Sequence, residues 1–249
     1  MAAPRDPAPD RRQAPQHTNV LAAADPSAAG FYARMSGAYG SRRSDVLLRV
    51  LDVVISASLL LAVSPVLASV ALLVLVTSGP PVLYRGERVG RGGISFTMFK
   101  FRTLRRGAET RLGNTYGLEL TSMTTRETTW IGRPLRATHL DEIPQLWNVL
   151  RGEMSMVGPR PIRPAFLAEV SNDFPQYWQR LVVRPGVTGF AQTRITREDA
   201  WEYKLAHDLE YIADRSLSLY LQVIMATARR VLGLSVRGGW QQVRPSRVR

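Results

Sequence analysis

Apolar residues form one long uninterrupted stretch in the first third of the chain. From Val53 to Tyr84 there is neither a charged residue nor a histidine, and the densest apolar part is Val53–Val76. A segment of about 20 apolar residues is long enough to cross the hydrocarbon core of a bilayer. A helix buried in a soluble protein is rarely apolar on every face over such a length. The pattern therefore predicts a helix that is inserted into a membrane.

A proline lies in the middle of this stretch. Pro65, preceded by Ser64, removes one helical hydrogen bond and clashes with the preceding turn, so we expect the helix to kink or break there. The arm before it, Val53–Val63, has a length of about 16 Å, roughly half the hydrocarbon core. Two such arms can enter and leave the membrane by the same face.

Basic residues flank the apolar stretch on both sides. They are Arg42, Arg43 and Arg49 before it, and Arg85, Arg88 and Arg91 after it. Basic flanks stay in the cytoplasm, so we predict a re-entrant helix–break–helix hairpin; a kinked helix that crosses the membrane is the alternative. Asp52, at the edge of the stretch, is expected to pair with Arg49 one turn earlier, or to be exposed among the lipid headgroups.

The rest of the chain has more varied patterns. Residues 1–40 lack apolar periodicity and predict a disordered lead without a secretory signal peptide. Residues 85–93 are typical of a turn-rich loop between two strands, and the alternating residues 94–104 predict a strand. The polar, threonine-rich residues 107–129 predict a mobile loop. Residues 217–232 predict an amphipathic helix that lies on the membrane or packs in the core.

Composition narrows the chemistry. The 249 residues include 33 basic and 20 acidic ones, which gives a net charge of +13, and all basic residues except Lys100 and Lys204 are arginine. This balance favours an anionic partner such as nucleic acid, lipid headgroups or a phosphorylated substrate. Guanidinium groups suit phosphate, although a genome biased towards arginine codons produces the same excess. The absence of cysteine excludes disulfides and thiol chemistry. The three histidines are far apart in sequence, which argues against a zinc enzyme: His17, His139 and His207.

Two adjacent carboxylates form the strongest candidate site. Thr138 and Asp141 have the spacing of a capping box, and Pro144 fits only the first turn of a helix. Asp141 and Glu142 therefore lie near a helix N-terminus, where anions are favoured. With Arg136 nearby, the pair suits magnesium-assisted phosphoryl chemistry, with both carboxylates as candidate Mg²⁺ ligands. The alternative is that they only cap the helix.

Several basic residues are candidates to bind phosphate. Arg160 lies between two prolines that fix its backbone, which favours bidentate binding of a diphosphate. Lys100 and Arg102 lie on the predicted strand, Arg88 in the glycine-rich stretch before it, and Arg184 beside a Pro-Gly turn. The alternatives are a solvated strand face for Lys100 and Arg102, an ordinary hairpin turn for the glycine-rich stretch, and rigid linkers with a solvated arginine for the other two turns.

Several long motifs occur in one order along the chain. After the basic and apolar lead with Ser64-Pro65 come RGERVGRGGISFTMFKFRTL, LRATHLDEIPQLWNVLRGEMSMVGPRP, RLVVRPGVTGFAQ and WEYKLAHDLEYI. From about Arg43 to about Val231 the chain thereby resembles the bacterial sugar transferase family, in particular its small monotopic polyprenyl-phosphate phosphoglycosyl transferases. No large polytopic N-terminal domain is visible in this chain, which matches the small form.

The resemblance implies a reaction and roles for specific residues. The family moves a phosphosugar from a UDP-sugar to a polyprenyl phosphate such as undecaprenyl phosphate, and it releases UMP. Asp141 corresponds to the nucleophile, which forms a covalent aspartyl-phosphosugar intermediate; Glu142 helps to hold Mg²⁺, and Arg160 belongs to the active site. The implied setting is the cytoplasmic face of a bacterial inner membrane, at the first membrane step of exopolysaccharide, O-antigen or glycoconjugate assembly.

The chain also departs from the family pattern. His139 stands where a small hydroxyl residue is common, Thr103 replaces a usual serine, and TRITRED at 193–199 lacks the glycine often found there. These differences bear on the choice of sugar more than on the chemistry. A membrane-anchored basic protein that binds nucleic acid or lipid without catalysis is the alternative function, supported by the net charge and the basic tail. No nucleic-acid-binding motif is present, so we expect no nucleic acid partner.

The predicted architecture is α+β and mostly helical, with a monotopic membrane hairpin and a cytoplasmic globular domain. The predicted divisions are a lead at 1–40, the basic flank and re-entrant helix at 41–84, the catalytic domain with interfacial helices at 85–234, and a basic tail at 235–249.

Overall fold

The protein is described by a computed structural model over residues 43–112, 117–194, 201–231 and 233. The predicted lead at 1–40, the tail at 235–249 and most of the TRITRED segment lie outside the described residues. The helices are α1 (Arg43–Ser78), α2 (Ala108–Leu112), α3 (Gly117–Glu127), α4 (Gly132–Ala137), α5 (Gln145–Leu150), α6 (Pro164–Asp173), α7 (Phe190–Arg194), α8 (Trp201–Asp214) and α9 (Leu217–Val231). The strands are β1 (Leu83–Val89), β2 (Ser95–Phe101), β3 (Ser155–Val157) and β4 (Gly186–Thr188). Three 3₁₀ segments occupy Arg91–Gly93, Leu140–Glu142 and Pro175–Val182. The mostly helical architecture with little sheet agrees with the prediction.

Helix α1 contains the apolar stretch. Its 36 residues continue through Pro65, and the hydroxyl of Ser64 donates to the carbonyl of Leu61 at 2.8 Å. The helix is long and apolar enough to cross a membrane, and most of its apolar side chains are exposed. Because the helix is continuous in the structure, the re-entrant hairpin at Ser64-Pro65 stays a prediction.

Both ends of α1 pack on the globular part of the chain. Near its beginning, Leu48 joins the main hydrophobic core, which includes Phe96 of β2 and Val149 of α5. Towards its end, Val70 and Val74 are buried in another cluster, together with residues of β2 and α4. The middle of the helix has the most exposed leucine, Leu61, at 78%.

Asp52 fixes the first arm of α1. Its carboxylate accepts hydrogen bonds from the backbone N–H of Met156, the hydroxyl of Ser155 and the phenol of Tyr220, at 2.8 to 2.9 Å. The predicted pair with Arg49 is present as a long ion pair, 4.0 Å between Nη1 and Oδ2, and the same guanidinium also donates to carbonyl oxygens at the end of α5. The alternative of an exposed Asp52 is wrong, because the side chain is buried among neutral donors.

An antiparallel β-hairpin follows α1. Strands β1 and β2 pair from Leu83 with Phe101 to Val89 with Ser95. The predicted turn-rich loop at 85–93 is too long, since residues 85–89 extend β1 and the turn is confined to 90–94. Gly92 and Gly93 supply the positive φ angles, 74° and 76°, that this turn requires.

Two short parallel strands bring two Pro/Gly turns together. Ser155 pairs with Gly186, and Val157 with Thr188. A side chain on Gly186 would place its Cβ 2.1 Å from the backbone nitrogen of Gly158. Only glycine therefore permits this approach of the two turns.

Two further predictions are decided by packing. The mobile loop predicted at 107–129 is wrong, since α2 and α3 occupy much of it, and Ala108 and Leu112 are buried. Of the two alternatives for 217–232, core packing is confirmed for one side of α9, where Tyr220 and Val223 are buried. The other side is exposed, and its contact with a membrane stays a prediction. The exposed stripe consists of Leu217, Leu221 and Met225.

Candidate active site

The two adjacent carboxylates lie in a 3₁₀ turn between α4 and α5. His139, directly before this turn, has a left-handed backbone conformation with φ 57°. Helix α5 begins at Gln145, immediately after Pro144, so the dyad precedes a helix as predicted. The predicted capping box is wrong, because the Thr138 hydroxyl donates to the carbonyl oxygens of Pro134 and Leu135 at the end of α4.

Asp141 is buried but has no hydrogen-bond partner in the described part of the chain. Its residue is 8% exposed, and its carboxylate accepts no hydrogen bond from the described residues. Burial, followed by the neighbouring charge of Glu142, raises the pKa of Asp141. The charges of Lys100 and Arg136 act in the opposite direction. An unpaired carboxylate near cations is chemically available to a ligand.

Glu142 is held by two cations. Its Oε1 lies 2.5 Å from Nζ of Lys100 and 3.5 Å from a guanidinium nitrogen of Arg160. Burial alone would raise the pKa of Glu142, but Arg160 and Lys100 outweigh burial and lower it to about 2. Burial and the charge of Arg160 together lower the pKa of Lys100 against the effect of Glu142. We infer a charged pair, because the 2.5 Å contact joins groups of opposite sign.

Asn148 fixes the part of β2 that carries Lys100. Asn148 of α5 is completely buried; its Oδ1 accepts from the N–H of Phe99, and its Nδ2 donates to the carbonyl of Thr97. These bonds fix the strand directly beside Lys100. Sequence reasoning missed Asn148. The signal that could have identified it is its polar side chain within the otherwise apolar segment LWNVL.

Arg160 is carried by a turn whose backbone is fixed on both sides. The carbonyl of Pro159 accepts from Gly186 N–H, and the carbonyl of Ile162 from Val89 N–H. The carbonyl of Arg160 itself accepts from the guanidinium of Arg180 at 3.1 Å. The Arg160 side chain is 50% exposed, so it combines a rigid base with an accessible charge.

Arg180 belongs to a buried network that sequence reasoning missed. It lies 2.6 Å from Asp208 of α8, and each side chain is 5% exposed. It also donates to the phenol of Tyr177 at 2.8 Å. The partners are 28 residues apart, and no local pattern indicates such a pair.

A cleft beside the dyad brings three of the predicted basic residues together. Its lining includes Arg88, Lys100 and Arg160, with Met98, Gln145, Pro161, Gly186 and Val187. Arg136 acts on Asp141 through its charge. The cleft is therefore lined by cations, as a site for phosphate requires.

Two predicted phosphate-binding residues have other roles in the structure. Arg102 is buried and donates to the carbonyl oxygens of Ser78, at 2.6 Å, and Gly79 at the end of α1. Arg184 donates to the carbonyl of Gly152 at 2.8 Å. Neither lines the cleft, and the sequence does not reveal where such long side chains extend.

Comparisons with known proteins agree on one family. The family model for bacterial sugar transferases matches residues 43–233. A UDP-N-acetylgalactosamine-undecaprenyl-phosphate N-acetylgalactosaminephosphotransferase from Aeromonas hydrophila is 33% identical over 68% of this chain and 40% of its own length. A UDP-glucose:undecaprenyl-phosphate glucose-1-phosphate transferase from Xanthomonas campestris is 36% identical over 73% of this chain and 38% of its own length. One with the same name from Caulobacter vibrioides is 37% identical over 76% of this chain and 70% of its own length. This chain thus spans less than half the length of the Aeromonas and Xanthomonas proteins.

Proposed function

Because this chain belongs to the bacterial sugar transferase family, we propose that it is a phosphotransferase that moves a sugar 1-phosphate from a UDP-sugar to a polyprenyl phosphate and releases UMP. The names of its relatives support the reaction class. The observation that carries the proposal is the buried carboxylate of Asp141, which no described residue pairs with, beside the ion-paired Glu142 and a cationic cleft. Binding of nucleic acid without catalysis is not favoured, since the relatives are transferases.

Asp141 is the proposed nucleophile. Its carboxylate oxygen attacks the β-phosphorus of the UDP-sugar, a bond to that phosphorus forms, and the bond to the bridging oxygen breaks as UMP leaves. An oxygen of the polyprenyl phosphate then attacks the same phosphorus and restores the carboxylate. Asp141 must be ionised for the first step, and Lys100 and Arg136 favour the ionised form against the effect of burial.

The basic residues of the cleft bind the substrates. Both substrates are polyanions, so their mutual repulsion must be offset by fixed positive charge. Arg88, Lys100 and Arg160 line the cleft, and the rigid turn under Arg160 holds its guanidinium ready for a bidentate contact with phosphate. Lys100 also keeps Glu142 ionised.

Asp141 and Glu142 are the proposed ligands of Mg²⁺. Within the described residues no group of three or more histidine, aspartate or glutamate side chains is placed to hold a metal. Two adjacent carboxylates nevertheless fit magnesium, which takes one or two of them and fills its shell with water and substrate phosphate. Oε2 of Glu142 has no partner among the described residues, so it is available. When bound, Mg²⁺ would neutralise charge on the transferred phosphoryl group.

The membrane arrangement proposed for α1 is a re-entrant hairpin at the cytoplasmic face of a bacterial inner membrane. Supporting it, Leu48 in the first arm and Val74 in the second both pack on the globular part. If α1 crossed a membrane, its two ends would lie about 30 Å apart on opposite sides of the hydrocarbon core. One globular domain can contact both ends only from the same side.

The topology is testable because the chain has no natural cysteine. Single cysteines replace Ser44 before the apolar stretch and Glu87 after it, and a membrane-impermeant maleimide is added to inverted membrane vesicles. Both positions should be labelled. Labelling of only one position in inverted vesicles, with the other labelled only in spheroplasts, would establish a crossing helix and refute the hairpin.

The reaction is tested with membranes that contain the protein, Mg²⁺, polyprenyl phosphate and a panel of UDP-sugars. Release of UMP and a phosphosugar adduct on Asp141 are expected with at least one sugar. Asp141→Asn should abolish both, whereas the control Asp214→Asn, an exposed aspartate of α8, should retain them. Turnover by Asp141→Asn would refute the assigned nucleophile.

The product would feed glycan assembly. A relative from Rhizobium leguminosarum, named as an exopolysaccharide production protein, is 37% identical, and the match covers 93% of its length. This name supports our proposal that the reaction begins the assembly of an exopolysaccharide or related cell-surface glycan.

A further inference from the structure

We propose that Gln145 donates a hydrogen bond from its side-chain amide to a phosphoryl oxygen of the diphosphate substrate. This inference rests on the proposed function and adds a binding residue to the same site. Gln145 is the first residue of α5, three residues after Glu142. It is 2% exposed, and it lines the cleft with Lys100 and Arg160.

The amide of Gln145 lacks a protein partner. Its Nε2 is buried and makes no hydrogen bond in the described part of the chain. Leaving a buried donor unsatisfied destabilises a folded protein, so the donor of Gln145 needs a partner, and a ligand in the cleft that Gln145 borders would supply one. Asn148, one turn later on the same helix, is the contrast: it is also buried, but both atoms of its amide are hydrogen-bonded to the protein.

The other orphaned atoms of the described residues have different surroundings. Two are the Nε atoms of Arg102 and Arg180, whose terminal nitrogens are already bonded to protein oxygens. The third is Oε1 of Gln192, which does not line the cleft. Gln145 alone among these four combines an orphaned donor with a place in the cationic cleft.

The lining of the cleft identifies the class of acceptor. Its charged members are Arg88, Lys100 and Arg160, and the described residues that line it include neither a carboxylate to bind sugar hydroxyls nor an aromatic ring to stack on uracil. A neutral donor among three cations matches a phosphoryl oxygen, which only accepts hydrogen bonds. Gln145 would thus complete the set of donors around the diphosphate.

The test uses Gln145→Met, which preserves length and volume but removes the donor. The ligand-free variant should have a melting temperature equal to or above that of the wild type, because an unsatisfied buried amide is removed. With the UDP-sugar that the wild type turns over, kcat/KM should fall about ten- to hundredfold, mostly through KM, as for loss of a hydrogen bond to a charged group. Competitive inhibition by inorganic pyrophosphate, measured in excess Mg²⁺, should weaken by a similar factor. The control Gln222→Met, an exposed glutamine of α9 whose amide bonds Ser218, should leave kcat/KM unchanged.

Three results would overturn the inference. An active Gln145→Met variant with unchanged KM would exclude a substrate contact. A lower melting temperature with unchanged inhibition by pyrophosphate would show that the amide is structural. Loss of activity with unchanged inhibition by pyrophosphate would move the contact away from the phosphoryl groups. If the wild type itself releases no UMP from any UDP-sugar, the proposed function fails and this inference with it, which distinguishes that case from failure of the inference alone.

Discussion

The buried pair of Arg180 and Asp208 offers the sharpest test of how the site is built. Because both side chains are almost inaccessible and 2.6 Å apart, removal of one partner leaves a buried charge without compensation. In Asp208→Asn the guanidinium keeps the phenol of Tyr177 and the carbonyl of Arg160 as acceptors. We therefore expect a cost at the lower end of the range for a broken buried pair, about 3 kcal/mol.

The double variant separates stability from activity. Replacing both partners with apolar residues, as in Arg180→Met/Asp208→Leu, removes both charges, and such replacements are often neutral or stabilising. We expect the free energy of unfolding of the double variant to be about 3 kcal/mol higher than the value predicted by adding the losses of the two single variants. Its activity should not recover, because the carbonyl of Arg160 has lost its donor, and we expect kcat/KM to remain about tenfold low.

The assay is urea unfolding of detergent-solubilised protein, followed by tryptophan fluorescence, alongside release of UMP from the UDP-sugar. Glu210→Gln is the matched control, because Glu210 also lies on α8 but forms an exposed pair with Arg194 at 3.3 Å, for which we expect less than about 1 kcal/mol. Full recovery of activity in the stable double variant would refute the positioning role of Arg180. Equal costs for Asp208→Asn and Glu210→Gln would refute the reasoning about burial.

The remaining predictions concern three other contacts. In metal-free protein, the pKa of Glu142 is lowered to about 2, and the stability that this contributes is complete above pH 4.5 and is lost as the pH falls towards 2. The wild type should therefore lose free energy of unfolding between pH 4.5 and 2. In Glu142→Gln this loss, measured by urea titrations, should be smaller by up to about 3 kcal/mol. Arg102→Met removes the charged donors at the end of α1 and should cost about 2 kcal/mol in the same assay, whereas the exposed Arg105→Met should cost little; equal effects would contradict the assigned role. Asp52→Asn weakens the bonds from three donors in the core and should lower the free energy of unfolding by about 2 kcal/mol; an unchanged value would show that the charge of Asp52 is dispensable.

Periodic and local features of the fold were predictable from the sequence. The apolar stretch predicted α1, and the alternation in 94–104 predicted β2, because each pattern follows from the period of a single element. The helices within 107–129 were not predictable, since polar, threonine-rich segments favour loops locally. Buried side chains such as Leu112 decide the outcome there through tertiary contacts.

The candidate site was predictable only where its residues are neighbours in sequence. Asp141 and Glu142 are adjacent, and the two prolines around Arg160 indicated a rigid turn. The pairing of Glu142 with Lys100 joins residues 42 positions apart, and Arg180 reaches Arg160 across 20 positions. Such contacts depend on how elements pack, so the sequence identified the residue types but not their partners.

Side chains at the end of β2 and directly after it contact both the dyad and the end of α1. Lys100 holds Glu142, while Arg102, two residues later, holds the carbonyl oxygens at the end of α1. Two residues of extended chain span about 7 Å, so the residue that contacts the dyad and the residue that contacts the end of α1 lie close together. If α1 lies in the membrane as proposed, the dyad lies near the level of the lipid headgroups, because the charge-free stretch ends at Tyr84, six residues after the end of α1. The phosphate of a polyprenyl phosphate lies at that level and a UDP-sugar arrives from water, so the proposed transfer does not require the lipid to leave the membrane.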